Sequence, residues 1–209
     1  MKILPLLVVG VLATISSISV SAQNVVINGD FETPPYDTVG TVSGWVVGGN
    51  GNVSEAEEGS TSGTHSAAFS VGTNSEGDTL SQSFATTAGV EYTLAFDAAV
   101  FGMPSATLQL QIEVFGTGTL LDETITPPVS NSFDPAVTSG IYQNFSFSFT
   151  ADSGTTTLQF SNIGQGNSFA DVVIDTVVVT VPEPSTTAIL IFGAGSLLGF
   201  LRLKRNSRA

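Results

Sequence analysis

Apolar and polar residues alternate with a period of two along most of this chain, and that spacing restricts the fold more than any other feature. Leu108, Leu110, Ile112 and Val114 fall on one face of an extended segment, with Gln109, Gln111 and Glu113 on the other. Phe145, Phe147 and Phe149 alternate with Ser146 and Ser148, and Tyr92, Leu94 and Phe96 alternate with Thr93, Ala95 and Asp97. Period two in β-branched and aromatic residues reads as half-buried antiparallel strands. Further strands are expected at 25–27, 45–47, 67–71, 79–84, 120–125, 156–160 and 169–179, about ten in all. Gly, Asn, Asp and Pro clusters separate them, as at 48–52 and 164–167, and 126–139 reads as a long Pro-containing surface loop. Many short strands joined by such turns predict an all-β fold, an antiparallel jelly-roll sandwich.

The charged residues are distributed unevenly. All five basic residues sit near the chain ends (Lys2, Arg202, Lys204, Arg205 and Arg208), and all 18 acidic residues lie between Asp30 and Glu183. His65 is therefore the one cationic partner available to the central region. Its carboxylates must be solvated, hydrogen-bonded or neutralised by a metal cation. Nucleic acid and anionic lipid surfaces are poor partners for it, because neutralising phosphates takes Lys and Arg. The chain has no cysteine, so disulfides, thiolate metal sites and thiol catalysis are excluded too, and stability must come from burial.

Both ends read as addresses. Met1-Lys2, an apolar run over 3–20 and Val20-Ser21-Ala22 read as a signal peptide over 1–22, with Gln23 as the mature start. Residues 23–180 have the length of one domain. Over 181–209 the order is Val181-Pro182-Glu183-Pro184-Ser185, an apolar stretch, then Arg202-Leu203-Lys204-Arg205. The two prolines remove backbone donors and fix φ, so they stop a strand and stiffen the chain. The apolar run 188–201 makes about 21 Å of helix, short for a bilayer core of about 30 Å; beginning at Ser185 it just spans. A basic end stays on the cytoplasmic side. This tail resembles the PEP-CTERM sorting signal. The resemblance implies an exosortase-type processing protease, a membrane-anchored precursor with one transmembrane helix, and a cell-surface or extracellular destination associated with exopolysaccharide. An ordinary membrane anchor is the plainer alternative.

The domain carries a second resemblance. Asn28-Gly29-Asp30-Phe31-Glu32 opens it, followed by Gly44-Trp45, Gly63-Thr64-His65-Ser66, Leu80-Ser81-Gln82-Ser83-Phe84, Gly89-Val90-Glu91-Tyr92 and a closing Asp171–Val179 run. These resemble the galactose-binding-like β-sandwich that houses many carbohydrate-binding modules. The resemblance implies neighbouring first and last strands with a structural calcium beside them. By position it implies Glu32 and Asp175 as ligands, with Asp30 and Asp171 as weaker candidates. Calcium takes six to eight oxygens from carboxylates and carbonyls, which acidic strands without basic neighbours can supply. The same carboxylates also read as solvated or as turn caps.

For ligand binding, Tyr36 and Tyr142 are the amphipathic rings left over once Trp45 and Tyr92 are assigned to the core. Gln109, Gln111 and Glu113 form either a binding surface or merely a wet one. For catalysis there is little. His65 has no nucleophile that the sequence places beside it, no Gly-x-Ser-x-Gly motif occurs, and Glu55, Glu57 and Glu58 read as a solvated acidic loop. Asp122-Glu123 lies on or near a strand. The sequence therefore points to a non-catalytic, exported surface protein that contacts exopolysaccharide. A structural or adhesive matrix protein without a defined glycan site is the alternative, and a glycan-acting hydrolase the remote one.

Overall fold

The computed structural model describes residues 23–71, 76–163 and 170–181. The segment 1–22 expected to be a signal peptide, Pro182–Ser185 of the sorting motif and the apolar stretch after it lie outside the described residues; Val181 is exposed just beyond the last strand. Among the described residues the alternating segments form ten strands. They are β1 (Val46–Gly49), β2 (Val53–Ala56), β3 (Ser66–Phe69), β4 (Asp78–Ala85), β5 (Glu91–Gly102), β6 (Leu110–Phe115), β7 (Thr119–Ile125), β8 (Gln143–Thr150), β9 (Thr155–Asn162) and β10 (Ala170–Thr180). They pair antiparallel into two five-stranded sheets, in the orders β1-β4-β9-β6-β7 and β2-β3-β10-β5-β8. The all-β sandwich expected from the alternation is the fold observed. No helix among the described residues is long and apolar enough to cross a membrane.

Three local expectations need correction. Residues 25–27 are not a strand, although Val25 N–H donates to Val179 O at 3.0 Å and Val177 N–H to Gly29 O at 2.8 Å, which docks the opening segment along β10. Residues 53–56 are strand β2, so Glu55, read from sequence as part of a solvated acidic loop, lies on a strand. Within 126–139 lies a short helix, α1 (Pro135–Ser139); Asp134 caps it by accepting from Ala136 N–H, and Pro135 opens it.

The core lies between the sheets. Alternate residues of β5 (Tyr92, Leu94, Phe96, Ala98, Val100) meet Leu158 and Phe160 of β9 and Leu110, Ile112 and Val114 of β6, all buried. Phe96 packs edge-on against Phe160 at 5.0 Å, and Trp45 bridges Phe160 and Phe31 at 6.2 and 5.7 Å. Trp45 and Tyr92 are core residues, as expected. A bulge between Asp175 and Val178 breaks the alternation of β10, and its Thr176 has φ of 53°. The extra residue lets Val177 and Val179 point inward while Asp171, Val173 and Asp175 point outward.

The two outer faces differ. Outside β2-β3-β10-β5-β8, Ser54, Ser66, Ala68, Ala99 and Val173 are buried. Ala56, Ala68, Ala99 and Val173 form a second apolar cluster with Phe101, Ile141 and Tyr142. The segment 57–65 and α1 are fastened together here, with Ser60 N–H donating to Ser139 Oγ at 3.0 Å and Tyr142 O–H to Gly59 O at 2.9 Å. This face is covered. Among the described residues, nothing comparable covers the outer face of β1-β4-β9-β6-β7.

Candidate functional site

The uncovered face is a polar ladder over five strands. One row of cross-strand partners runs Val46, Ser81, Gln159, Glu113, Asp122. The next runs Gly48, Thr79, Ser161, Gln111, Thr124. At the spacing of neighbouring strands a row spans about 19 Å. Ser83, Asp122 and Thr124 are exposed, and Gln111, Glu113 and Gln159 are half-buried. Gln111 Nε2 donates to Asp122 Oδ1 at 2.8 Å, Gln159 Nε2 to Glu113 Oε2 at 3.4 Å, and Ser83 and Thr157 hydroxyls meet at 2.8 Å. The face therefore offers amide donors, carboxylate acceptors and hydroxyls at close spacing, with Phe115 as its aromatic member beside Thr157. Gln109, just before β6, is half-buried, and its carbonyl accepts from Ile163 N–H at 3.1 Å.

A second polar cluster fastens the opening motif to the segment 57–65. Glu32 Oε1 accepts from the N–H groups of Thr64 at 2.5 Å and His65 at 2.6 Å. Burial opposes its charge, but the His65 and Thr64 donors outweigh burial and hold its carboxyl below the usual range. Tyr36 stacks on His65 at 3.8 Å and donates its hydroxyl to Glu32 O at 2.7 Å. Thr64 Oγ1 lies 2.9 Å and Glu32 Oε2 3.2 Å from His65, but both contact the same ring nitrogen, Nδ1. A relay from nucleophile through imidazole to carboxylate uses both nitrogens, so Thr64, His65 and Glu32 do not form one.

On the other side of the same segment, Asp175 Oδ2 accepts from Thr61 N–H at 2.7 Å and Ser62 N–H at 2.8 Å, and Oδ1 from Thr176 N–H at 2.6 Å. Burial pushes its carboxyl up to about 6 despite these donors. Glu58 is pushed up by burial and by the neighbouring Asp171, which burial also raises. Asp30 is exposed at the rim of a recess of about 300 Å³ lined by Asn24, Asn28 and Thr176. Thus Glu32 and Asp175 grip opposite ends of the segment 61–65 through its backbone, and Asp171 faces Glu58. Among the described residues no three Asp, Glu or His side chains are grouped to hold a metal ion.

Both ring candidates are half-buried and engaged with other groups of the protein. Tyr142 gives its hydroxyl to Gly59 and packs in the second apolar cluster, where burial raises its pKa; Tyr36 is committed to His65 and Glu32. The acidic loop expectation is corrected as well. Glu55 lies on β2, fully buried, with Oε1 accepting from Asn28 Nδ2 at 2.5 Å, and desolvation raises its carboxyl. Only Glu57 of the three is exposed. Sequence reasoning named the β6 part of the ladder but missed Gln159 and the pairing of Glu113 with Asp122. The alternation of Thr157, Gln159 and Ser161 was a usable signal; the strand order that brings β9 and β7 to β6 was not.

Residues 180–205 match the PEP-CTERM protein-sorting motif, as the tail resemblance implied. The carbohydrate-binding module TmCBM61, solved with β-1,4-galactotriose, shares the fold at a TM-score of 0.52 and 18% identity, covering 76% of this chain and 99% of that one. An arabinose-bound α-L-arabinofuranosidase, MgGH51, aligns at a TM-score of 0.52 and 11% identity over 76% of this chain and 26% of its own. Tailspike protein 4 of bacteriophage CBA120 aligns at 0.50 and 15% over 76% and 21%. This chain therefore corresponds to about a quarter or less of the latter two. No curated protein matches it. Residues 24–180, three-quarters of the chain, match the family described as "Protein of unknown function (DUF642)", and the chain belongs to that family.

Proposed function

We propose that this is an exported, exosortase-sorted surface protein whose sandwich domain binds exopolysaccharide without acting on it. The observation that carries the reading is the bare polar ladder on the β1-β4-β9-β6-β7 sheet. Sugars are recognised through many hydroxyls at once, and a face of amides, carboxylates and hydroxyls about 19 Å across supplies matching partners. The match of residues 180–205 to the sorting motif supports export with the signal peptide 1–22 removed and the apolar helix as a temporary anchor. The fold shared with a module solved with a galactotriose supports glycan binding. The reading is tested with protein recovered from its host's surface fraction. Retention on the host's own exopolysaccharide is expected, and Gln159→Ala or Glu113→Ala should weaken it about tenfold. Equal retention of both variants overturns the assignment to this face. Replacing Pro182, Glu183 and Pro184 together should leave the precursor in the membrane fraction.

One observation favours a second reading, a structural matrix protein with no glycan site: Tyr36 and Tyr142 are both turned to internal partners, leaving few rings for stacking. Absence of retention on any polysaccharide supports that alternative.

A further inference from the structure

Resting on the glycan reading above, we infer the chemical class of the ligand: the ladder selects an uncharged, hydroxyl-rich glycan and rejects acidic ones. Glu113 and Asp122 are direct cross-strand partners. Like charges placed so, with Cβ atoms about 4.5–5.5 Å apart, cost a sheet stability. Each carboxylate receives one glutamine amide, Gln159 on Glu113 and Gln111 on Asp122, at 3.4 and 2.8 Å. A carboxylate has about four acceptor positions, so most of the acceptor capacity of this pair remains for a ligand. What it asks for is donors. Neighbouring hydroxyls of an uncharged sugar supply them and form charge-assisted bonds, the stronger kind. The flanking glutamines add acceptor oxygens for the same hydroxyls, and Gln111 keeps one N–H to donate, whereas Gln159 gives its second N–H to Ser161 Oγ at 3.3 Å.

A uronate or sulfate group supplies the opposite, further acceptors and further negative charge. Between Ile3 and Leu201 there is no Lys or Arg to receive it. His65 is buried beneath Tyr36 and bonded to Glu32, so it does not serve. Nor does a helix N-terminus compensate: the one helix among the described residues, α1, packs on the other sheet's side. The selection is thus set by the donor and acceptor complement of four side chains (Gln111, Glu113, Asp122, Gln159) and by the sign of the whole domain.

The test uses exported protein from the host and three kinds of immobilised polysaccharide. The uncharged set is galactan, mannan and β-glucan; the acidic one is polygalacturonate; the cationic one is chitosan. Each is run with calcium and with chelator, at low and high NaCl. Binding to an uncharged member that persists in high salt, with no retention on polygalacturonate, is the expected result. Glu113→Gln should then weaken binding about tenfold, while its melting temperature stays equal or rises because a like-charge contact is gone. That combination separates lost recognition from lost folding. Retention on polygalacturonate, with calcium or without it, overturns the inference and leaves the glycan reading standing. Preference for chitosan that vanishes in high salt also overturns it, since charge rather than hydroxyl matching would then do the selecting. Binding to none of the three overturns the glycan reading itself and this inference with it.

Discussion

Single residues set the geometry on which both polar clusters depend. Asp152 illustrates this for the ladder. Its carboxylate accepts from Thr117 N–H at 2.9 Å, Thr117 Oγ1 at 2.6 Å and Gly118 N–H at 3.1 Å, closing the turn between β6 and β7 from a different strand connection. The Thr117 hydroxyl and backbone donors hold its carboxyl down at about 2. That turn fixes the register placing Glu113 opposite Asp122. Asp152→Ala should speed amide exchange at Thr117 and Gly118 by about tenfold, with little change at core amides, as seen by hydrogen-exchange NMR. Gly63 does the same for the second cluster. It has φ of 62°, and a methyl group there would run into the Glu32 carboxylate. Both the backbone and the contact are specific to glycine. Gly63→Ala should cost about 2–3 kcal/mol in urea unfolding. Gly118→Ala, where an added methyl meets open space, should cost about 0.5 kcal/mol or less.

At the scale of elements, the segment 57–65 is held over the β2-β3-β10-β5-β8 sheet by carboxyls, and this makes stability depend on pH. Burial raises Asp175 from an ordinary 3.8 to about 6, and raises Glu58 and Asp171 in the same direction. Asp97, Asp37 and Tyr142 are the other titratable groups facing them, with Asp78 beside Asp171. Folded, these carboxyls keep protons that the unfolded chain releases above about pH 4. Stability should therefore fall as pH rises from about 4 through 6, by up to about 3 kcal/mol for Asp175, and go on falling toward about 8 through Glu58. Glu32 acts oppositely: its lowered carboxyl adds stability above its ordinary 4.5, lost as pH falls further. Urea midpoints should peak near pH 4, and Asp175→Asn should flatten the fall above it, whereas Asp122→Asn should not. The sequence disclosed the strands well because period two survives in any context. It disclosed little of this segment. Glu55, Glu57 and Glu58 look alike in sequence, yet one lies on a strand in the core, one is in solvent and one faces Asp171. Burial of a carboxyl is decided by which strand lies over it, and strand order is a long-range property. The bulge in β10 was equally hidden, since Asp175-Thr176-Val177 reads as uninterrupted alternation.

Over the whole molecule the governing fact is charge of one sign. Eighteen acidic residues lie between Asp30 and Glu183 and no Lys or Arg lies between Ile3 and Leu201. Unpaired charge of this size keeps the protein soluble and strains its compact state through self-repulsion. Salt shortens the reach of that repulsion from about 30 Å at 0.01 M to about 10 Å at 0.1 M. NaCl should therefore raise the melting temperature by a few degrees, the reverse of a protein held by surface ion pairs. Divalent cations separate screening from a site. Of the carboxylates expected to bind calcium, Glu32 and Asp175 are engaged with backbone N–H groups and Asp171 faces Glu58, and no three acidic or histidine side chains converge among the described residues. Calcium and magnesium at equal ionic strength should accordingly stabilise alike, and chelator should return the melting temperature to that of the NaCl control. A calcium-specific rise that saturates at low concentration would instead reveal an assembled ion site, built by drawing Glu32 or Asp175 away from the segment 61–65. Calorimetry across the two cation series decides between screening and a site, and the same series on Asp175→Asn shows whether that carboxylate is a ligand.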